Sequence, residues 1–150
     1  MTGRLHAAFA AAHRGWPVFP LAPNAKQPRA GLTNWAARAT TDVERIDRWW
    51  TDHPDDNIGI ATGPAGLVVI DLDTARTGET ASADFPDARS GVDVFTALHR
   101  RHGQVVTPTW TVATTTGGSH LYYQAPKHGG PWRNTAGRLG WHIDTRAAGG

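Results

Sequence analysis

The chain contains no cysteine, which excludes a disulfide framework and every thiolate zinc site, and with them most small folds built around a structural metal. It has no apolar run long enough to span a bilayer. The opening MTGRLHAAFAAAHRGW carries only a short apolar stretch, edged by His6 and His13 and followed by no cleavage site, so it does not read as a secretory signal. A cytoplasmic protein is therefore expected. There are no internal repeats and no low-complexity tract. Lysine is scarce, two residues against thirteen arginines. Arginine's forked guanidinium suits phosphate ligands, although a genome rich in G and C yields the same bias together with abundant Ala and Gly.

What is present is ordinary for a globular chain: 150 residues, 39% hydrophobic, 19% charged, formal charge +2. That length supports one domain with a real core, and the 17 Gly and 10 Pro promise many turns. Apolar residues Leu5, Ala8, Phe9 and Ala12 recur at helical spacing and Gly15 offers a stop, so residues 4 to 14 read as an amphipathic helix. WPVFPL reads as a strand at a sheet edge, because Pro17 and Pro20 cannot donate to a ladder. A second helix is announced by TTDVERIDRWW, with a capping box from Thr41 to Glu44 and Val43, Ile46 and Trp50 along one side. NIGIATG and LVVIDLD are two apolar runs joined by Gly and Pro, expected as a hairpin or tight connection of two central strands. Residues 74 to 89 read as an exposed loop. Ser90 and Asp93 open a third helix that Gly103 closes, and TWTVATTTGGSHLYYQ is a hairpin around Gly117, Gly118 and Ser119. A glycine-rich loop, KHGGPWRNTAGRLG, leads to a last short strand, WHIDTR. The ending AAGG reads as interrupted, so a domain truncated at its C-terminus is expected.

The chemistry concentrates where the strand GLVVIDLDTA runs from four apolar residues into two acids. Alternation puts Asp71 and Asp73 on one face with Leu72 on the other. Neighbouring carboxylates repel unless a cation sits between them, and oxygen-only ligands favour magnesium or manganese bridged to phosphates. A lone D-x-D equally caps the loop after a strand. Asp144, in WHIDTR, is a third carboxylate after an apolar run, and three acids converging from two strands would make a two-metal site. TTTGGSH supplies a complementary half, in which Gly117 and Gly118 let amides approach an anion and Ser119 and His120 add donors, together a triphosphate cradle. Arg146 would share Asp144's face and could grip a triphosphate. Trp49 and Trp50 read as core residues; Trp132 and Trp141 flank the glycine-rich loop and are candidates for base stacking.

In this order, GWPVFPLAPNAKQP, WW, NIGIATG, LVVIDLD, TTTGGSHLYY and HIDTRAAGG resemble the bifunctional primase-polymerase (Prim-Pol) domain of the archaeo-eukaryotic primase superfamily, found in replication proteins of plasmids, phages and integrated elements. The resemblance covers nearly the whole chain. It implies an α+β catalytic core with a mixed sheet flanked by helices, joining nucleoside triphosphates on a single-stranded DNA template with Mg2+ or Mn2+. It also implies that Asp71, Asp73 and Asp144 bind the metals and that His120 contacts the phosphates of the incoming nucleotide. Relatives have Ser-x-His in the second motif, where this chain has Gly118 at the serine position and Ser119 beside the histidine. The zinc-binding stem of some relatives is excluded by the lack of cysteine. A helicase region or helicase protein is a frequent partner in the family. Lys26, in NAKQP, is a candidate nucleotide or template contact.

Other readings stay open. VVIDLD also resembles the first motif of haloacid-dehalogenase-type phosphatases, but position 75 is alanine where that motif wants threonine or valine, and no later lysine and paired acids complete the set. A metal-dependent glycosyltransferase uses D-x-D but leaves His120 and Asp144 unexplained. A module that binds nucleotide or single-stranded DNA without catalysis is the non-enzymatic alternative.

Overall fold

The computed structural model describes residues 3–149. The chain is α+β and divides into two compact units, the first running to Ala65 and the second from Gly66 to Ala148. The first unit holds α1 (Gly3–His13), β1 (Val18–Leu21), the short α2 (Trp35–Arg38), α3 (Val43–Asp52) and β2 (Asn57–Ile60). Strands β1 and β2 pair antiparallel, Val18 opposite Ile60 and Leu21 opposite Asn57. The core forms where α1 lays Leu5, Ala8 and Ala12 against Ile46 and Trp50 of α3 and Val18 of β1. Trp50 also donates its indole N–H to the Asp56 carbonyl at 3.0 Å, so its polar edge is satisfied inside the core.

Helix α3 begins one residue later than the capping box predicts. Asp42 is the cap, its carboxylate accepting from the Arg45 amide at 2.8 Å, while the Thr40 hydroxyl accepts from the Asp42 amide at 3.0 Å. Val43, at the first turn, is 49% exposed, and Ile46 and Trp50 form the buried stripe.

The second unit holds β3 (Leu67–Leu72), α4 (Gly91–Arg101), β4 (Trp110–Ala113), β5 (Ser119–Gln124), β6 (Thr135–Gly140) and β7 (Ile143–Arg146). They form one antiparallel sheet in the order β4-β5-β3-β7-β6. The apolar run 67–70 makes β3 the middle strand, buried along nearly its whole length. β2 and β3 are not a hairpin. Each pairs in a different sheet, and β2 belongs to a two-stranded one, so it is not a central strand.

Ser90 caps α4, accepting from the Asp93 amide at 3.3 Å, and Gly103 follows the helix with φ +63°. The helix packs Val94, Phe95 and Leu98 on Ile70, Leu72 and Ile143, covering one face of the sheet. Residues 74–89 contain no helix or strand, yet Phe85 and Ala88 join that apolar cluster, so the segment is not wholly exposed. Trp141 is partly buried against the same cluster. The glycine-rich stretch, read as loop, contains β6, an irregular edge strand whose register shifts between Thr135 and Gly140. Among the described residues no helix is long and apolar enough to cross a membrane.

Candidate metal and nucleotide site

The register of the five-stranded sheet assembles the site. Asp71 in the middle strand sits opposite His120 of β5 and opposite Asp144 of β7. Residues directly opposed across an antiparallel pair share a face, and alternation extends that face to Val69, Tyr122 and Arg146. The other face, with Ile70, Leu72 and Ile143, lies under α4. Asp73 stands one residue beyond β3 and is fastened by its backbone, its N–H donating to the His142 carbonyl at 3.0 Å and its carbonyl accepting from Gly91 at 2.8 Å. One carboxylate oxygen from each of Asp71, Asp73 and Asp144 lies within 4.8 Å of the others.

Three carboxylates so close repel when ionised. Donor groups of the chain offset part of this. Arg146 Nη2 lies 3.0 Å from Asp144 Oδ2 and 3.5 Å from Asp71 Oδ2, and His120 Nε2 lies 3.1 Å from Asp71 Oδ1. The short contact with His120 is the largest cause holding the Asp71 carboxyl below its usual range; the charges of His120 and Arg146 add to it and outweigh burial, which acts the other way. The Asp71 charge in turn adds to burial in pushing up the Tyr122 hydroxyl. Asp144 Oδ1 accepts from the Gly137 amide at 2.9 Å, which ties the third acid to β6.

One feature of this arrangement asks for a ligand. Apart from the imidazole nitrogen 3.1 Å away, buried Asp71 Oδ1 has no polar partner among the described residues. A buried carboxylate oxygen met only by an imidazole, facing two more carboxylates, fits a hard divalent cation.

The structure therefore brings Asp71, Asp73, Asp144, His120 and Arg146 together. Ser119 is separated from them, since it pairs with Leu72 and belongs to the α4 side of the sheet. The glycine turn also differs from an amide cradle. Gly117 donates to the Thr114 carbonyl at 3.1 Å and Gly118 to the Thr114 hydroxyl at 2.9 Å, so both amides are used inside the turn. Glycine at 118 is instead required by space, because a Cβ there would lie 2.3 Å from the Leu72 carbonyl oxygen. Lys26 is an exposed residue of the first unit, in the loop after β1.

Gly91 and His142, which clamp Asp73, escaped the sequence reading. The available signal was a glycine in the first turn of a helix, where a better helix former would otherwise be favoured. Tyr122, two residues past His120, was legible by alternation. A family model described as bifunctional DNA primase/polymerase, N-terminal, matches residues 8–150. No curated protein matches the chain.

Proposed function

The chain belongs to the bifunctional DNA primase/polymerase N-terminal (Prim-Pol) family, and on that premise we propose that it is a nucleotidyltransferase that builds DNA on a single-stranded template, with or without a primer. Asp71, Asp73 and Asp144 would hold magnesium or manganese, whose charge would neutralise the triphosphate and make the attacking 3′ hydroxyl more acidic. Asp71 is the central ligand, because the strand register sets it directly opposite both His120 and Asp144. His120, directly across the strand pair, donates a hydrogen bond to the outgoing phosphates. Arg146, which bridges Asp71 and Asp144, would supply a guanidinium to the same phosphates. The backbone clamp on Asp73 keeps the acids in fixed geometry, which suits an in-line displacement that depends on positioning. No protein nucleophile takes part.

The observation that carries this reading is the gathering of three carboxylates from two distant chain segments within 4.8 Å of one another. Primer synthesis and extension on single-stranded DNA, with magnesium or manganese, tests it. Incorporation is expected, and it should vanish in Asp71→Ala and Asp73→Ala proteins that keep the native circular dichroism. Calorimetry with a deoxynucleoside triphosphate and manganese separates catalysis from binding alone. A folded protein that neither binds nucleotide with metal nor extends a primer refutes the assignment.

A further inference from the structure

The thirteen acids of the chain are unevenly placed: residues 94–143 contain none, while five arginines and lysines fall in the same fifty residues. That carboxylate-free stretch builds β4, β5, β6 and the greater part of α4. It also frames a groove of about 800 Å³ within the second unit. The floor is Val68, Ile70 and Tyr123, residues of the sheet face opposite Asp71. The rim carries Trp132, Arg133 and Arg138, and no acid lines any part of it. A second hollow of about 450 Å³ continues it past Arg138 and Leu139 to His99 and His102 of the α4 end, again without an acid.

Trp132 is 40% exposed, yet its ring is held in place. Its indole N–H donates to the Pro126 carbonyl at 3.0 Å, and the Gly129–Gly130 backbone lies beside the ring. Such a ring is a ready stacking surface that loses little entropy on binding. No ion pair to Arg133 or Arg138 occurs among the described residues. An apolar floor, a fixed indole and two unpaired guanidiniums match a polymer with flat bases on a phosphate chain.

We infer that this groove binds single-stranded nucleic acid, with Trp132 stacking on a base and Arg133 and Arg138 contacting phosphates, on the side of the sheet away from the acid cluster. The inference rests on the proposed polynucleotide function for the kind of ligand. It does not depend on the acids or on metal. A strand in this groove is therefore held independently of the strand being copied, and binding persists when divalent ions are removed.

Fluorescence anisotropy of a labelled oligothymidylate with the full chain tests this. The wild-type protein should bind in EDTA as it does in manganese, and Asp71→Asn with Asp73→Asn should bind equally well. Trp132→Ala should weaken binding by about five-fold or more. Arg133→Gln with Arg138→Gln should lower the slope of log affinity against log salt by about 1.4, two phosphates at roughly 0.7 each. Both variants should keep the native circular dichroism and manganese-dependent nucleotide binding in the calorimeter. Unchanged affinity and salt slope in these variants overturn the inference, as does binding that disappears in EDTA. Light scattering covers the competing occupant: self-association that the same substitutions abolish would make the groove a contact between copies and also overturn it. Loss of nucleotide binding in the wild type with oligothymidylate binding intact would instead sink the catalytic assignment and support the groove.

Discussion

Replacing Gly91 by alanine tests whether Asp73 is positioned by backbone contacts. A Cβ at residue 91 would lie 2.2 Å from the His142 carbonyl oxygen and 3.2 Å from the Asp73 amide nitrogen, both backbone atoms that cannot rotate aside. The same carbonyl accepts the Asp73 N–H at 3.0 Å, and Gly91 donates to the Asp73 carbonyl at 2.8 Å. Two effects oppose each other. Alanine gains up to about 1 kcal/mol over glycine in a helix, less in its first turn. Overpacking a rigid contact costs about 1–3 kcal/mol, and a weakened buried backbone hydrogen bond adds about 1 kcal/mol. The clash wins, leaving a net loss of about 1–3 kcal/mol and a melting temperature lower by very roughly 2–12 °C for a chain of this size. Because the displaced atoms are those that hold Asp73, manganese affinity should fall with stability. Circular dichroism melting and a manganese titration read the two effects. Gly3→Ala is the control, since nothing lies within 4 Å of the added methyl, and it should be neutral or stabilising. A Gly91→Ala protein that melts within a degree of the wild type and binds manganese equally would refute the positioning argument.

Further outcomes follow from the same geometry. Asp73→Asn removes one charge from a repelling cluster and should abolish primer extension while raising the metal-free melting temperature slightly, by up to about 1 kcal/mol of stability; a lower melting temperature would mean that the acids do not repel. Asp71 has a depressed folded-state pKa, so its contribution is full above the ordinary carboxylate range and is lost as pH falls through the lower folded value. His120→Gln removes the largest cause of that depression, so the acid limb of a metal-free unfolding curve should move to higher pH, and an unmoved limb would show that His120 does not stabilise the Asp71 charge. In the first unit, Arg29 reaches both oxygens of Asp56 at 2.5 Å, and Asp56 is 1% exposed. Arg29→Ala strands that carboxylate and should cost about 3–5 kcal/mol in urea denaturation, whereas a loss under about 1 kcal/mol would show water reaching Asp56.

The fold was legible wherever hydrophobic period and turn chemistry agreed. α1, α3, α4 and the β4–β5 hairpin all follow from spacing and caps. The misses share one cause, which is that tertiary partners decided the local structure. α2 is a single turn on which Trp35 stacks against Phe19, ring centroids 4.6 Å apart, and nothing local announces it. β6 reads TAGRLG, a poor strand sequence, and pairs with β7 only at its ends, Thr135 with Thr145 and Gly140 with Ile143. NIGI and LVVIDL looked like a hairpin because they are adjacent apolar runs, but pairing in different sheets is invisible to composition.

Within the site, alternation alone gave the shared face of Asp71 and Asp73, and it should also have separated Ser119 from His120, since adjacent strand residues point opposite ways. What alternation could not supply was the order of strands that places β7 beside β3. Once they are neighbours, the apolar residues fix the acids. Ile143 is fully buried beneath α4 and pairs with Leu72, so Asp144 must pair with Asp71. A slip of β7 by one residue would turn Ile143 to the acid side and drive Asp144 under Val94. Burying an unpaired carboxylate there would cost several kcal/mol, and losing the burial of Ile143 would add about 2 kcal/mol. The third carboxylate is thus held in place less by its own contacts than by the isoleucine before it, and the cation site is enforced from the opposite face of the sheet.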